Sequence, residues 1–129
     1  MSQENVARVR ESMEHLVATG EPEWAALHED IAVLDHDIPD ADEYRGRSGF
    51  MRWLADWASA WSDYSLDLEE YLDANDSVVV VFLLRATGAG SGITLERRDA
   101  MVCKMRDLEV VRIDYYNNRE QALEAVGID

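Results

Sequence analysis

The chain has 129 residues, 47% of them apolar and 30% charged, and its formal net charge is −15 at pH 7. This length and balance predict a single globular domain over residues 1–129 that buries a core without disulfides or metal ions. A surface this negative repels phosphate backbones and anionic lipids, so we expect neither nucleic acid nor membranes as partners. The charge fits a solubilising surface at least as well as the attraction of a cationic ligand.

Cysteine usage and the N-terminus favour a cytoplasmic location. Cys103 is the single cysteine, which excludes an internal disulfide, and its apolar strand context predicts a buried, unreactive thiol. The first ten residues are polar and contain no apolar stretch of the kind found in signal peptides. The longest apolar run, Val78–Leu84, is too short to cross a bilayer as a helix.

The first quarter of the chain predicts two helices followed by a strand. Apolar residues at helical spacing indicate a helix over Asn5–Thr19 that Gly20 terminates. A shorter helix is expected over Glu21–Glu29, with Pro22 in its first turn. Ile31–Asp37 changes to a period of two, which predicts a strand whose apolar side becomes acidic towards its end.

An irregular stretch over Ile38–Arg47 leads into the most amphipathic segment of the chain, Tyr44–Trp61. Ser48 is expected to cap this helix. Its apolar residues recur at helical spacing and form one stripe: Phe50, Trp53, Leu54, Trp57, Ala58 and Trp61. Rings of this size need a broad surface to bury against, which predicts a concave sheet around the helix.

Four strands and a closing helix are predicted after this segment. The strands are expected over Tyr64–Leu72, Ser77–Ala86, Ile93–Met105 and Val110–Asn117, and the helix over Arg119–Val126. The second of these strands is apolar on both faces, as in a strand covered on both sides. The order α-α-β-α-β-β-β-β-α predicts an α+β fold, with a mixed but mostly antiparallel sheet curved into a cone around an internal pocket.

Several local motifs also resemble one known superfamily, in their order and spacing rather than singly. They are VATGE, WAALHEDIAVLDHD, YRGRSG, RWLADWASAW, VVVVFLLRATGAGSG and VVRIDYYNNREQALEAVG. Together they resemble the nuclear transport factor 2-like superfamily, in particular its SnoaL-like branch of polyketide cyclase-like and ketosteroid isomerase-like domains. The resemblance implies a conical pocket for a small hydrophobic molecule, a homodimer, and no cofactor. Its members include isomerases, cyclases and dehydratases as well as non-catalytic binding proteins, so the fold leaves the activity open.

Asp35 is the first catalytic candidate. The resemblance aligns it with the carboxylate that serves as general base in ketosteroid isomerase-like members. A carboxylate held in an apolar cavity can take and give a proton near neutral pH, because desolvation disfavours its ionised form. The alternative is a solvated or hydrogen-bonded residue at the rim of the cavity.

The other site candidates carry similar alternatives. The family positions that supply oxyanion donors align with Met13 and Met101, which cannot donate, so steroid isomerisation is disfavoured. Asp99 shares a strand face with Met101 and is a second candidate catalytic carboxyl, unless it belongs to a charged surface run, ERRD. Tyr115 and Asn117 are candidate ligand donors, although a buried tyrosine satisfied by the backbone is equally consistent.

The tryptophans and histidines have simpler interpretations. Trp53, Trp57 and Trp61 either line a ligand pocket or form plain core, and one helix face can do both. His36 lies between Asp35 and Asp37, but successive strand residues point to opposite faces, so no metal site is expected there. His28 is expected to pack at a helix end. The sequence therefore supports two hypotheses, a cofactor-independent acid–base enzyme or a non-catalytic binding or dimerisation module.

Overall fold

A computed structural model describes residues 2–38 and 42–128. The elements in chain order are α1 (Ser2–Thr19), a single 3₁₀ turn (Trp24–Ala26), β1 (Leu27–Asp35), β2 (Tyr44–Arg45), α2 (Gly46–Ser59), β3 (Trp61–Ala74), β4 (Ser77–Gly88), β5 (Thr94–Arg106), β6 (Glu109–Tyr116) and α3 (Arg119–Ala125). Within the described ranges, no helix is long and apolar enough to span a membrane.

The six strands form one sheet in the order β2-β1-β6-β5-β4-β3. The β1–β6 pair is parallel and the other four pairs are antiparallel, which confirms a mixed, mostly antiparallel α+β fold. Register shifts interrupt three of the pairings, and such bulges bend the strands that carry them. The register places Tyr115 of β6 between Asp35 of β1 and Met101 of β5.

Both faces of the sheet are covered. On the inner face, Val9 and Met13 of α1 and Phe50 and Trp53 of α2 pack against the strands. On the outer face, α3 packs through Ala122 and Leu123 on a second apolar cluster formed by Val79, Val81, Ala100 and Val102. The run Val78–Leu84 is buried throughout because these two layers enclose it, as its two-faced apolar pattern predicted.

Three local predictions are wrong. Glu21–Glu29 is not a helix: one 3₁₀ turn is followed by β1, since Leu27 already pairs with Val110 of β6. Ser48 does not cap α2, which begins at Gly46 after the extended residue Arg45. Trp61 does not extend the helical stripe, because α2 ends at Ser59 and Trp61 opens β3.

The remaining boundaries agree with the sequence pattern within a few residues. α1 ends at Thr19, and Gly20 adopts a φ of 77° while its amide donates to the carbonyl of Leu16. The predicted irregular stretch 38–47 contains β2, and its residues 39–41 lie outside the described part of the chain. β5 runs through Glu96–Asp99 without a break, although four charged residues occur there in succession.

Candidate functional site

A cavity of about 430 Å³ lies between the two N-terminal helices and the inner face of the sheet. Residues of α1, α2, β3, β4, β5 and β6 line it, together with Gly20: Met13, Leu16, Val17, Gly20, Phe50, Trp53, Leu54, Trp57, Tyr64, Ser65, Leu66, Phe82, Met101, Ile113 and Tyr115. Five of the residues predicted to bind a ligand are in this lining: Met13, Trp53, Trp57, Met101 and Tyr115.

The cavity wall is built largely from aromatic rings in edge-to-face contact. Trp57 lies at 88° to Tyr64, with ring centroids 4.9 Å apart, and at 65° to Tyr115. Trp53 contacts both Phe50 and Tyr115 in the same manner. Such contacts stabilise the wall beyond the burial of area. Phe50, Trp53 and Tyr115 are both core and pocket lining, whereas Tyr64 is half-exposed.

Asp35 lies behind this wall rather than in it. It is 2% exposed, and its Oδ2 accepts a hydrogen bond of 3.0 Å from the indole Nε1 of Trp53, which does line the cavity. Its Oδ1 accepts from the backbone amide of Asp37, also at 3.0 Å. Asp35 is therefore not solvated and does not project into the cavity. The hydrogen-bonded alternative describes it, because the protein engages both of its oxygens.

Asp99 is fully buried, so its assignment to a charged surface run is wrong. The alternation of β5 places Arg97, Asp99 and Met101 on the inner side of the sheet. Arg97 donates to both oxygens of Asp99, from Nε at 2.5 Å and from Nη2 at 3.0 Å. This fork geometry neutralises the carboxylate with the guanidinium beside it.

Tyr115 connects the cavity wall to Asp99. Its hydroxyl donates to Oδ2 of Asp99 and accepts a hydrogen bond of 3.1 Å from Nε1 of Trp57. Burial, followed by the adjacent Asp99, raises the pKa of Tyr115 well above its ordinary value. The phenol therefore stays neutral in the physiological range and cannot serve as a base.

A third carboxylate completes what we call the acidic cluster, defined as Asp35, Asp37 and Asp99. The Nη2 atom of Arg97 lies 3.7 Å from Oδ2 of Asp37, and Nδ2 of Asn117 donates to Oδ1 of Asp37 at 2.6 Å. Burial raises the pKa of Asp37, helped by Asp35 and Asp99 and opposed by Arg97. Asn117 thus bonds to Asp37 and is not in the cavity lining, contrary to its predicted role as a ligand donor.

Sequence reasoning missed two parts of this arrangement. The charged run ERRD is typical of surface, yet its Arg97 lies two residues before Asp99 on a strand, which places both side chains on one face. The indole N–H groups of Trp53 and Trp57 were considered only as parts of bulky rings. Their acceptors lie on other strands, and no local pattern in the sequence indicates that pairing.

The histidines lie outside the cavity lining. His36 is exposed, stacks on Tyr116 with centroids 4.4 Å apart, and bonds to Asp114 at 2.9 Å. His28 is in β1, not at a helix end, and its Nδ1 accepts from the amide of Asp30. Among the described residues, no three His, Cys, Asp or Glu side chains are grouped so that they could share a metal ion.

The sequence of residues 9–113 matches the family model of the SnoaL-like domain. The chain belongs to the SnoaL-like family. The match covers most of the chain and includes α2, β3, β4 and β5 and the first part of β6, which confirms the resemblance seen in the motifs. No curated protein sequence matches the chain significantly.

Solved structures of the same fold include proteins crystallised with quite different small molecules. TerC, co-crystallised with polyporic acid, is 17% identical with a TM-score of 0.73, and the match covers 96% of this chain and 98% of TerC. A second structure is a protein with a ketosteroid isomerase-like fold from Catenulispora acidiphila DSM 44928, in complex with trimethylamine. It is 16% identical with a TM-score of 0.68, and the match covers 92% of this chain and 94% of that protein.

A nuclear transport factor 2-like protein from Burkholderia xenovorans LB400 is 21% identical, with a TM-score of 0.71 and 98% of both chains covered. At these identities the similarity establishes the SnoaL-like fold alone. The function of this SnoaL-like chain has to be argued from its own cavity.

Proposed function

We propose that this SnoaL-like protein binds a small, largely hydrophobic molecule in the cavity between α1, α2 and the inner face of the sheet. The observation that carries the proposal is the cavity itself, about 430 Å³ in volume and lined by apolar and aromatic side chains. Ligand sites in proteins have this size and character, with few polar groups that orient the bound molecule. The organic molecules in two proteins of the same fold support the class of ligand, and they differ in charge and size.

Binding without turnover is favoured over catalysis because the candidate acids and bases do not reach the cavity. A general base has to approach the proton that it removes within hydrogen-bond distance. Asp35 is separated from the cavity by Trp53, and Asp99 by Tyr115. Met13 and Met101, at the family's oxyanion positions, line the cavity and offer no donor.

A titration of neutral aromatic compounds, followed by tryptophan fluorescence and calorimetry, tests this proposal. Val17→Phe fills the cavity from α1, where Val17 is 43% exposed and tolerates a larger side chain. Ile93→Phe is the matched control, since Ile93 is 68% exposed on the β4–β5 turn and is not in the lining. We expect Val17→Phe to weaken binding at least tenfold, about 1.4 kcal/mol, and Ile93→Phe to leave it unchanged. Equal loss in both variants, or no binding by the wild type, would overturn the proposal.

An acid–base enzyme is the second candidate, favoured by one observation. Asp35 is hydrogen-bonded to Trp53, which lines the cavity. A rotation of the Trp53 side chain would therefore open a path from Asp35 to a ligand. Asp35→Asn keeps the shape of the side chain and removes its basicity. Loss of turnover of a bound carbonyl compound with unchanged affinity would support this candidate, whereas absence of turnover in the wild type supports binding alone.

A further inference from the structure

We infer that the cavity selects hydrophobic ammonium ions, alkyl- or aryl-substituted amines that carry a positive charge, over neutral or anionic molecules of the same shape. This inference rests on the proposed function, because it names the class of ligand for the same cavity. It draws on three independent features of the described residues: the arrangement of the aromatic rings, the direction of their N–H groups, and the charges placed behind them.

The rings form a corner suited to a cation. Trp57, Tyr64 and Tyr115 all line the cavity, and Trp57 meets the other two at 88° and 65°. A substituted ammonium seated in such a corner can contact more than one ring face, where the negative side of the quadrupole attracts it. Its alkyl groups meanwhile contact the apolar side chains of Met13, Met101 and their neighbours.

Three hydrogen-bond donors of the wall are already engaged by the protein, and the hydroxyls of Tyr64 and Ser65 are the other side-chain donors of the lining. Trp53 donates its N–H to Asp35, Trp57 donates its N–H to the hydroxyl of Tyr115, and Tyr115 donates onward to Asp99. An anion would therefore find these three donors already engaged by the protein. Donation towards a carboxylate also polarises the indole and phenol rings, which makes their faces more attractive to a cation.

The charges behind the wall have the sign that favours a cation. Two buried carboxylates, Asp35 and Asp99, lie directly behind lining rings, and the guanidinium of Arg97 accompanies Asp99. The exposed Asp37 joins them through Arg97 and the Asp37 amide, so carboxylates outnumber guanidinium groups in this connected set. No charged residue of the described chain lines the cavity itself. The net charge of −15 adds a long-range attraction that concentrates cations near the protein.

Three probes of nearly identical shape test the inference: benzyltrimethylammonium, neopentylbenzene and phenylmethanesulfonate, which differ in charge at one position. We expect the ammonium ion to bind about tenfold more tightly than the neutral hydrocarbon, as a desolvated cation–π contact allows. The sulfonate should bind more weakly than either. The preference for the ammonium should persist in high salt, since a buried contact is screened much less than surface charge.

Two substitutions locate the effect. Tyr64→Leu removes one ring of the corner at a residue that is 48% exposed, so the fold should be retained. In this variant the affinity for benzyltrimethylammonium, relative to that for neopentylbenzene, should fall about threefold or more. The affinity for neopentylbenzene itself should stay within about twofold of the wild-type value. Trp24→Leu removes an aromatic ring outside the lining and is the control, expected to leave the ratio unchanged.

The outcomes separate the inference from the function on which it rests. Equal or tighter binding of neopentylbenzene or the sulfonate would overturn the inference and leave a hydrophobic binding site in place. An ammonium preference that Trp24→Leu and Tyr64→Leu alter equally would also overturn it, because the ring corner would not be its source. Binding of none of the three probes would overturn both proposals.

Discussion

The indole N–H of Trp53 donates a hydrogen bond of 3.0 Å to Oδ2 of Asp35, and both side chains are almost completely buried. One partner lines the cavity and the other lies behind it. The contact joins a ring of the cavity wall to a buried carboxylate of β1. While this contact is formed, Asp35 acts as a structural acceptor, because the oxygen that faces the wall is occupied.

We therefore predict that Asp35 contributes to stability through Trp53. Asp35→Asn keeps one side-chain oxygen as an acceptor, but its new NH₂ group faces either the indole N–H of Trp53 or the backbone N–H of Asp37. Two donors cannot bond to each other, so the free energy of unfolding should fall by about 1–3 kcal/mol. A double-mutant cycle with Trp53→Phe, measured by urea denaturation, should give a coupling energy of about 1.5–3 kcal/mol. A coupling energy near zero would show that the contact does not hold the wall.

Two adjacent arginines of β5 provide a second test. Arg97 and Arg98 both bond to a carboxylate through two nitrogen atoms, but Arg97 bonds to the buried Asp99 and Arg98 to the partly exposed Glu69. Arg97→Met leaves the buried charge of Asp99 without a partner and should lower the free energy of unfolding by about 3–5 kcal/mol. Arg98→Met removes a surface pair and should cost about 0–1 kcal/mol. Chemical denaturation of both variants measures the difference, and equal losses would contradict the assigned burial of Asp99.

Much of the architecture can be predicted from local patterns. The alternation of Ile31, Val33 and Asp35 indicates a strand whose inward face ends in an acid, and all three residues are buried. The two-faced apolar run Val78–Leu84 indicates a central strand, and layers on both sides cover it. These features are readable because each depends on residues that are close together in the chain.

The contacts that define the site are less accessible to such reasoning. Tyr115 bonds to Asp99 because the β5–β6 register pairs Tyr115 with Met101, two residues beyond Asp99 on the same face. Trp53 bonds to Asp35 because α2 packs against β1. Register and packing angle are set by the whole fold, so the sequence indicates which side chains are inward but not which ones meet.

A homodimer remains a prediction that depends on the family resemblance. The two-faced apolar pattern of β4 does not itself require a second chain, since α3 of the same chain covers the outer apolar cluster. Beyond α3, the outer face carries ion pairs: Arg85 contacts Asp67 at 2.5 Å and Glu96 at 2.8 Å, beside the pair of Arg98 and Glu69.

The family resemblance implies association through the open face of the sheet, and we propose that two copies meet on this outer face. Such an interface should be polar and sensitive to substitution of its charges. We expect a dimer in light scattering at micromolar concentration, and a monomer for Arg85→Glu, which places like charges next to Asp67 and Glu96. Arg52→Glu on α2 makes the same change of net charge elsewhere and should leave the dimer intact. A monomeric wild type would refute the prediction.

Cys103 provides a pH-dependent test of the inner core. It is 2% exposed among apolar side chains, and burial, with a smaller contribution from Asp114, raises the pKa of its thiol to about 12 from an ordinary value of 9.0. The folded state therefore favours the neutral thiol, whereas the unfolded chain ionises near its ordinary pKa. This contribution to stability is complete below pH 9 and is lost as the pH rises towards 12.

The free energy of unfolding should fall by about 1.4 kcal/mol per pH unit within that window because of Cys103. Tyr44 adds to the fall above pH 10, since burial and its hydrogen bond to Asp56 raise the pKa of its phenol to about 12. Burial also raises the phenol pKa of Tyr71, Tyr115 and Tyr116, so only the difference between the wild type and Cys103→Ala isolates the thiol; urea denaturation of both between pH 8 and about pH 10 measures it. Cys103→Ala should have a lower free energy of unfolding than the wild type at pH 8, because packing is lost. That free energy should, however, depend less on pH than in the wild type. Parallel profiles for the two proteins would show that the thiol is not buried as described.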